Sequence, residues 1–537
     1  MPWANGVFAP ICQVDIHTEE KIYSFKGTTV DEKDPSNDLI SVNTNKSFGS
    51  PTGSWSMELI DNNQKLWYKK INPQDLVVIK MGYEHENLDT IMVGLVDEIR
   101  KKRSSGSKGE KVVRTSIHGR DLGKVLVKAL LKWFPQFRDD NINFPFKQIL
   151  NEKFAGMASI WMEIVNGSPA VLIEKAITAI IHNLMDFKIR YWQGDEKVDA
   201  STKEIFRYRL AKVDLFLDFR EMLSEFEGSA WNFMKGFQHD PFYELFIDTR
   251  VSSDYMEIVP NSIVEKESYL KGKFEGSFGD DRSKAVLFFR KTPFDKENWD
   301  KLLTHEIEDI DIIDEDISRS DHENYNMFLA TPSYINLEEI GFAQAVIPEF
   351  SPENLQKFGI SLLEKTVNGL PSNLDGVQYG MKLTEILKKW YEKNIDYENG
   401  TQIIRGNGKI KIGHRLLNKE TNTIFYIEGV SNNFINFGNW KTSLVLTRGQ
   451  EFESDTIEKE ITDITPEGDI IEKEPVKTEP VYYTVVRGDT LWAIAIKYYG
   501  KGADYQKIVA ANKDIIKNPD LIYPGQRFLI PNPTVKG

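Results

Sequence analysis

The first 120 residues alternate between apolar and polar side chains with a period of two, which is typical of half-buried β-strands. Clusters of Gly, Asn, Pro and Asp separate the segments that have this pattern. These segments are IYSFKG, SWSMELI, DLVVIKMGYE and DTIMVGLVDEIRKK. The alternation therefore predicts a β domain over residues 1–120.

A basic segment, RKKRSSGSKGEK (100–111), lies between the last of these predicted strands and VVRTSIHGRDL, where strand character returns. Its glycines and serines predict a long hairpin loop. A solvated loop tip is the simplest interpretation of such a charge run. A contact with phosphate or with an acidic partner is the alternative.

From residue 121 apolar residues recur at i, i+3, i+4 and i+7, as on one face of a helix. The helical segments are DLGKVLVKALLKWF, FKQILNEKFAG, AVLIEKAITAIIHNLMDFKIRYW and KVDLFLDFREMLSEF. Strand character returns in FYELFID, YMEIVP and AVLFFRKTPF, and two further helices are predicted in ENWDKLL and LTEILKKWYEKN. These patterns predict a helical or mixed insertion over 121–245 and a second β domain with insertions over 246–450.

Residues 451–480 contain eleven acidic residues, three lysines and few large apolar side chains. Such a segment cannot bury a core and is predicted to be an extended, flexible linker. It holds more than half of the formal net charge of −14, so the rest of the chain is only mildly acidic. The charge therefore gives no reason to expect specific nucleic-acid binding.

The chain has one cysteine, Cys12, which excludes an internal disulfide framework and a cysteine-built metal site. Its most apolar stretch, 170–184, is interrupted by Glu174, Lys175 and His182, so we expect no membrane insertion. The first residues lack the basic region and apolar run of a secretion signal. We therefore expect synthesis in the bacterial cytoplasm and, for a role outside the cell, release by lysis within a particle.

The last predicted domain, 481–534, contains YTVVRGDTLW and IYPGQRFLIP and is predicted to fold as strand, helix, helix, strand. Its spacing of Gly488 to Trp492, Asn512 and Tyr523 to Gln526 resembles the LysM domain. The resemblance implies a shallow groove that binds N-acetylglucosamine-containing glycans. Carried over by position, the groove residues are Gly488, Asp489, Thr490, Leu491, Asp520, Leu521, Ile522 and Tyr523.

Three apolar residues of this module, Leu491, Trp492 and Ile522, have a second interpretation as its small hydrophobic core. For Trp492 the core is the favoured interpretation.

The first 450 residues contain no recognisable catalytic motif. The eight histidines are scattered without an HExxH pair, and neither a GxSxG elbow nor a GxxxxGK[ST] phosphate loop occurs. Acidic residues are too common for a pair of glycosidase carboxylates to be identified from the sequence. A structural turn is favoured for HGRD (118–121), at a predicted strand-to-helix junction. We predict no catalytic residue, no metal ligand and no cofactor.

Several segments between residues 50 and 450 form an ordered series: GLVDEIRKK with VVRTSIHGRDLGKVL, FMKGFQHDPFYELFID, LFFRKTPFDKENW, IIDEDISRSDHENYNMFLATPS, GKIKIGHRLL and FYIEGVSNNFINFGNWKTSLVLTRG. In order and spacing they resemble the baseplate hub proteins of contractile phage tails, which include late-control proteins and secretion-system spike relatives. The resemblance implies an α+β, mainly β fold with two tube-like β-barrel domains and helical or mixed insertions. Within it, Arg290 to Phe294 is a candidate subunit interface, and a strand-end turn is the equal alternative.

The resemblance implies a homotrimeric hub between the tail tube and the central spike of a phage tail or a tail-like, R-type bacteriocin. Its implied partners are the tail tube protein, the central spike protein, other baseplate proteins and the tape measure protein. The LysM module is expected either to bind peptidoglycan or to dock onto neighbouring baseplate proteins. Two alternatives are a peptidoglycan hydrolase with an unrecognised catalytic domain and a surface or spore protein anchored to the wall.

Overall fold

The computed structural model separates the chain into two compact units, Met1–Glu453 and Ser454–Gly537, and each is described by itself. The described residues are 9–28, 38–61, 66–84, 86–105, 111–132, 188–193, 196–201, 206–210, 227–236, 238–250, 263–264, 284–321, 323–332, 347–367, 374–452, 481–486, 489–499, 505–512, 515–516, 522–523 and 525–531. No helix in this part of the chain is both long and apolar enough to cross a membrane.

Strands dominate the first unit. They are β1 (Pro10–His17), β2 (Ile22–Thr28), β3 (Leu39–Ser47), β4 (Ser54–Ile60), β5 (Leu76–Tyr83), β6 (Asp89–Ser105), β7 (Lys111–Asp121), β8 (Leu130–Lys132), β9 (Lys188–Gln193), β10 (Glu196–Ser201), β11 (Phe206–Leu210), β12 (Glu227–Ser229), β13 (Tyr243–Arg250), β14 (Ile263–Val264), β15 (Lys284–Lys291), β16 (Thr304–Ile307), β17 (Ile312–Ser318), β18 (Met327–Pro332), β19 (Glu349–Phe350), β20 (Leu362–Val367), β21 (Glu398–Arg405), β22 (Arg415–Asn418), β23 (Thr423–Ile435) and β24 (Trp440–Glu451).

The helices in the described part of the first unit are short, except for one of 18 residues. They are α1 (Trp67–Lys70), α2 (Lys124–Lys128), α3 (Ala230–Gly236), α4 (Lys296–Trp299), α5 (Pro352–Phe358) and α6 (Leu374–Tyr391). The second unit contains β25 (Val481–Thr484), α7 (Leu491–Tyr499), α8 (Tyr505–Ala511) and β26 (Arg527–Ile530). The predicted fold class, α+β and mainly β, is confirmed.

One sheet of thirteen strands forms the framework of the first unit. Its order is β17-β21-β24-β23-β3-β4-β7-β6-β5-β1-β2, with β22 beside β23 and β16 beside β22. Residues 41–47 of β3 pair antiparallel with residues 429–435 of β23. The two β regions that the sequence analysis treated as separate domains thus share a continuous sheet.

The sequence of β5, LVVIKMGY, is almost continuously apolar because both faces of this strand are buried. Val77, Ile79 and Met81 pack into a core with β1, β2 and β4. Leu76 and Val78 pack into a second core with α3, α6 and one face of β13 and β15.

A smaller sheet, β13-β15-β11-β14, lies against the framework. All eight residues of β13 are buried, and alternate side chains enter two different cores. Leu245 and Ile247 join the core of α3 and α6, whereas Phe246 joins a third core with Ile427 and Leu444. β13 is therefore an internal strand that ties the smaller sheet to the framework.

The predicted long loop at 100–111 is wrong in its extent, because β6 continues to Ser105 and β7 begins at Lys111. Backbone pairing continues through this charged sequence, from Arg100 opposite Ser116 to Ser105 opposite Lys111. Charged side chains on a sheet can stay in solvent while the backbone groups pair, so the charge pattern did not prevent strand formation.

Two predicted helices also differ from the structure. FKIRYW contains β9, which pairs with β10, and DLGKVLVKALLKWF is helical only in α2 before β8 pairs with β12. Apolar spacing alone did not distinguish these short strands from helix turns. The other helical predictions in 133–187 and 211–226, YMEIVP and the linker over 453–480 lie outside the described residues.

The second unit has the predicted strand, helix, helix, strand order, and β25 pairs antiparallel with β26. Leu491, Ile494, Ile508 and Phe528 are buried in its core. Asn512 connects α8 to β26, since its Nδ2 donates to the Leu529 carbonyl and its Oδ1 accepts from the Leu529 N–H, each at 2.8 Å.

Candidate functional sites

The framework sheet has a polar face around the pairing of β3 with β23. Alternate residues of β24, β23, β3 and β4 place short, uncharged side chains on this face. They are Asn43, Asn45, Ser54, Ser56, Ser431, Asn433 and Ser443. The intervening residues, among them Val42, Met57, Phe434 and Leu444, are buried in hydrophobic cores.

These polar residues line a concavity of about 610 Å³. Asn433 Nδ2 donates to Asn43 Oδ1 at 2.5 Å across the β3–β23 pairing. Asp97 and Arg120 also line it, and Arg120 Nε donates to Asp97 Oδ2 at 2.6 Å. The concavity therefore offers hydroxyl and amide groups, together with Arg120 and Asp97, and the Asp97 carboxylate also pairs with Lys124 at 2.9 Å.

The structural role predicted for HGRD (118–121) agrees with the contacts of Asp121, which is fully buried, but the segment is the end of β7 and the turn follows it at Leu122 and Gly123. Asp121 Oδ2 accepts from the Gly53 N–H at 2.7 Å and its Oδ1 accepts from the Gly123 N–H at 2.9 Å. A Cβ atom at Gly119 would collide with the Trp55 ring, so this position requires glycine. Both residues serve the fold.

A buried charged cluster lies beneath the sheet, where β13 meets β3. Asp248 Oδ1 is 2.9 Å from Lys46 Nζ, and Asp248 Oδ2 accepts from Arg250 Nε at 3.0 Å. Lys411 Nζ donates to the Thr90 carbonyl at 3.1 Å. Burial raises the pKa of Asp121, 3.9 Å from Lys46, to about 6, although the Lys46 charge acts in the opposite direction.

Two histidines extend this cluster. Arg250 donates to His414 Nε2, so the neutral ring carries its proton on Nδ1 and donates it to His305 Nε2 at 2.9 Å. Burial and the nearby Arg250 charge lower the pKa of His305 to about 4 and that of His414 well below its ordinary value. Among the described residues no group of three or more His, Cys, Asp or Glu side chains is placed to hold a metal ion.

This cluster was not predicted from the sequence, although one signal was present. Thr44 and Lys46 follow Val42 at the buried positions of the β3 alternation. A lysine at a core position of a strand indicates a buried counter-charge, because an unpaired buried charge is costly. The partner, Asp248, is more than 200 residues away in the sequence and could not be identified from the pattern.

Arg290 is an interior residue of the protomer. Its Nε donates to Glu244 Oε2 at 2.7 Å and its Nη2 donates to Tyr426 Oη at 2.8 Å. Phe294 lies in the same aromatic group, with ring centroids 5.5 Å from Tyr426 and 5.8 Å from Trp390. For Arg290 the subunit-interface alternative is therefore wrong, because its side chain is 3% exposed within one chain.

The two halves of the predicted glycan groove are brought together at one end of the second unit. The N–H of Val485 donates to the Gln526 carbonyl, and the N–H of Gly525 donates to the Val485 carbonyl, each at 2.8 Å. These bonds place the loop before β26 beside the loop after β25. Gly488, Asp520 and Leu521 lie outside the described residues.

On the first loop, Asp489 and Thr490 have structural contacts of their own. Asp489 Oδ2 accepts from Tyr483 Oη and from the Val486 N–H, each at 2.8 Å. Thr490 Oγ1 accepts from the Ala493 N–H at 3.1 Å and so caps the start of α7. Their side chains hold the loop in shape.

The apolar groove residues divide between core and surface. Leu491 is buried and Ile522 packs against the core, whereas the ring of Tyr523 is 55% exposed. Trp492 is also 55% exposed, so the preference for a core role was wrong. Position i+1 after a buried helix residue points away from the core, which explains why Leu491 and Trp492 differ.

Residues 483–531 match the family model described as LysM domain. Sequence relatives cover short parts of the chain. The potassium binding protein Kbp of Escherichia coli O6:H1 is 44% identical over 71 residues, which is 13% of this chain and 48% of Kbp. The uncharacterized protein YqbP of Bacillus subtilis is 41% identical over 68 residues, 11% of this chain and 31% of YqbP. The chain thus spans less than half the length of these relatives.

Solved structures of tail proteins are similar over most of the chain. A tail protein from Neisseria meningitidis MC58 has a TM-score of 0.40 and 11% identity, covering 81% of this chain and 96% of that protein. The 43 kDa tail protein of prophage MuSo2 from Shewanella oneidensis has a TM-score of 0.43 and 10% identity, covering 81% and 98%. The Escherichia coli c3393 protein, a type VI secretion system component, has a TM-score of 0.32 and 7% identity, covering 84% and 83%.

Proposed function

We propose that this protein is a structural baseplate hub that joins the tail tube to the central spike of a contractile injection particle. The particle is either a phage tail or an R-type bacteriocin. The observation that carries the proposal is the continuous sheet across the β3–β23 pairing, with a mostly uncharged polar face on one side and apolar cores on the other. A tube wall needs this arrangement, because one face is wetted by the lumen and the other packs.

The ends of the sheet favour a ring of several copies. In the described part of the chain, β17 pairs only with β21, and β2 pairs only with β1. Strand edges that are open in one copy are covered by neighbours in an assembly. We expect a homotrimer, with the tail tube protein on one side, the spike protein on the other, and baseplate and tape measure proteins around it.

The LysM domain supplies a second role, which we propose to be binding of peptidoglycan as the tube enters the cell wall. Three weak glycan sites on one trimer would gain avidity through their effective concentration. This role needs no catalytic group. The protein would be assembled in the bacterial cytoplasm and released by lysis as part of the extracellular particle.

The test is electron microscopy of particles that carry a gold-labelled tag on this chain. We expect label at the baseplate end of the tube, where the spike is attached. Label along the sheath, or particles without label, would contradict the hub role. Zymography on purified peptidoglycan tests the alternative, since a lytic band that is lost on changing one carboxylate would indicate a hydrolase.

A further inference from the structure

The end of β6 carries a basic surface at a place where one edge of the strand has no strand paired with it in the described part of the chain. The pairing of β5 with β6 ends at Leu95, whereas β6 and β7 stay paired to Ser105 and Lys111, and β4 stays beside β7 as far as Arg114. We call residues 98–105 and 111–117 the basic arm. Its cations are Arg100, Lys101, Lys102, Arg103, Lys111 and Arg114.

These cations exceed the carboxylates around them. Glu98 is 2.7 Å from Arg100, and Glu58 is shared by Lys102 at 2.9 Å and Arg114 at 3.7 Å. Arg103 is exposed and has no ion pair within the described ranges. Six cations against two carboxylates leave the arm with an excess of four positive charges.

An open sheet edge carries the opposite charge. We call residues 306–316 the acidic edge, because seven of these eleven residues are Asp or Glu and none is basic. Lys419 pairs with Glu306 at 2.5 Å, and the other six carboxylates have no ion pair with a described residue. The segment includes the start of β17, whose outer edge has no strand beside it in the described part of the chain.

The acidic edge also exposes apolar side chains, which favours a partner that covers the edge over an edge that faces only solvent. Ile310 is 73% exposed and Ile313 is 50% exposed, between carboxylates. Charge and bulges are two of the devices that protect natural edge strands, and β17 has both, with a register shift between Ile312 and Asp314, but neither covers the exposed isoleucines. An edge that combines carboxylates, exposed isoleucines and free backbone groups fits a basic strand that can pair with it.

We infer that the acidic edge of one copy binds the basic arm of a second copy in a head-to-tail contact, which rests on the proposed ring-forming role. The backbone of the arm extends the sheet beyond β17, and its cations face the carboxylates of the edge. Since the two surfaces are different patches of one chain, the contact is heterologous and forms a ring when the rotation closes.

Two observations favour a second copy as the occupant. The arm and the edge lie six strands apart in the sheet order, about 29 Å along the sheet at ~4.8 Å per strand, so a contact between copies is easier than one within a copy. Glu58 and Glu98 are interleaved with the cations of the arm and would repel the phosphates of a nucleic acid.

The test is sedimentation velocity of the full chain at low and high salt, with charge reversals on each surface. The arm variant is Arg100→Glu with Arg103→Glu, and the edge variant is Asp314→Lys with Asp316→Lys. Each should raise the dissociation constant for self-association by about tenfold or more, and the variant with all four changes should regain association. A control, Lys388→Glu with Lys389→Glu on α6, has the charge change of the arm variant and should assemble like wild type.

Assembly of the arm and edge variants at wild-type strength would overturn this contact, as would a loss that the four-change variant does not reverse. The labelled-particle experiment would still support the hub role in that case, so the two proposals fail separately. If the reversals prevent folding, Arg100→Gln with Arg103→Gln and the salt dependence of wild-type association decide. Association that is equally strong at 50 and 500 mM salt would then contradict the contact, because exposed charge pairs are screened.

Discussion

Replacement of Asp248 by Asn should destabilise the first unit, because it removes the counter-charge at the centre of the buried cluster. Asp248 is 1% exposed and contacts both Lys46 and Arg250 at about 3 Å. Burial by itself would raise the pKa of Asp248. The charges of Lys46, Arg250 and Lys411 outweigh burial and hold this pKa below its ordinary value. The carboxylate is therefore charged at neutral pH.

The size of the effect follows from what the substitution leaves behind. Removal of one partner from a buried ion pair typically costs about 3–5 kcal/mol, since the other charge stays buried without compensation. Asn has nearly the same volume as Asp, so no cavity adds to this cost. Asp121 is the carboxylate that remains near Lys46, at 3.9 Å. We expect a loss of about 3 kcal/mol in the free energy of unfolding.

The assay is urea unfolding at pH 7.5, followed by the fluorescence of the buried tryptophans. The matched control is Glu98→Gln, which removes one carboxylate from the exposed pair with Arg100 and should leave the midpoint unchanged. A midpoint for Asp248→Asn equal to that of Glu98→Gln, at an unchanged slope, would refute the reasoning. It would mean that the buried cations are compensated without Asp248.

Two further predictions concern pH and glycan binding. His305 and His414 are neutral in the folded protein, whereas in the unfolded chain they take up protons near pH 6.5. The two neutral rings therefore stabilise the folded protein fully above pH 6.5, and this contribution is lost as the pH falls towards 4. The melting temperature of wild type should thus fall more between pH 7.5 and 5 than that of a variant with both changed to Gln, and equal falls would count against neutral rings. Tyr523→Ala should weaken retention of the full chain on insoluble peptidoglycan several-fold, whereas Trp492→Ala, which alters an equally exposed ring outside the groove, should not. Equal losses would show that the groove is misplaced.

Sequence patterns predicted the strands and helices that have one face in a core and the other face in solvent. SWSMELI alternates because Trp55, Met57 and Leu59 face a core while Ser56 and Glu58 do not, and the structure has β4 there. The order of elements in the LysM module followed from its motif spacing and its caps. Such features are local, so the neighbouring residues are enough to reveal them.

Contacts between residues far apart in the chain could not be predicted from the sequence. The pairing of β3 with β23 depends on two strands from opposite ends of the first unit, and nothing in either strand specifies its partner. The contact between Lys46 and Asp248 is of the same kind. Trp492 shows a different limit. It follows a buried leucine, and the local sequence is the same whether the tryptophan ring faces the core or the solvent.

The β3–β23 pairing also has a consequence for biosynthesis. Asn43 and its partner Asn433 are 390 residues apart. At a translation rate of about 5–20 residues per second, β3 waits roughly 20–80 s after its synthesis before β23 exists. During that interval one edge of β3 is unpaired on a growing chain, where it could pair with another nascent copy. We therefore expect the yield of soluble protein to rise at a lower expression level or with added chaperone, since both reduce encounters between exposed strands.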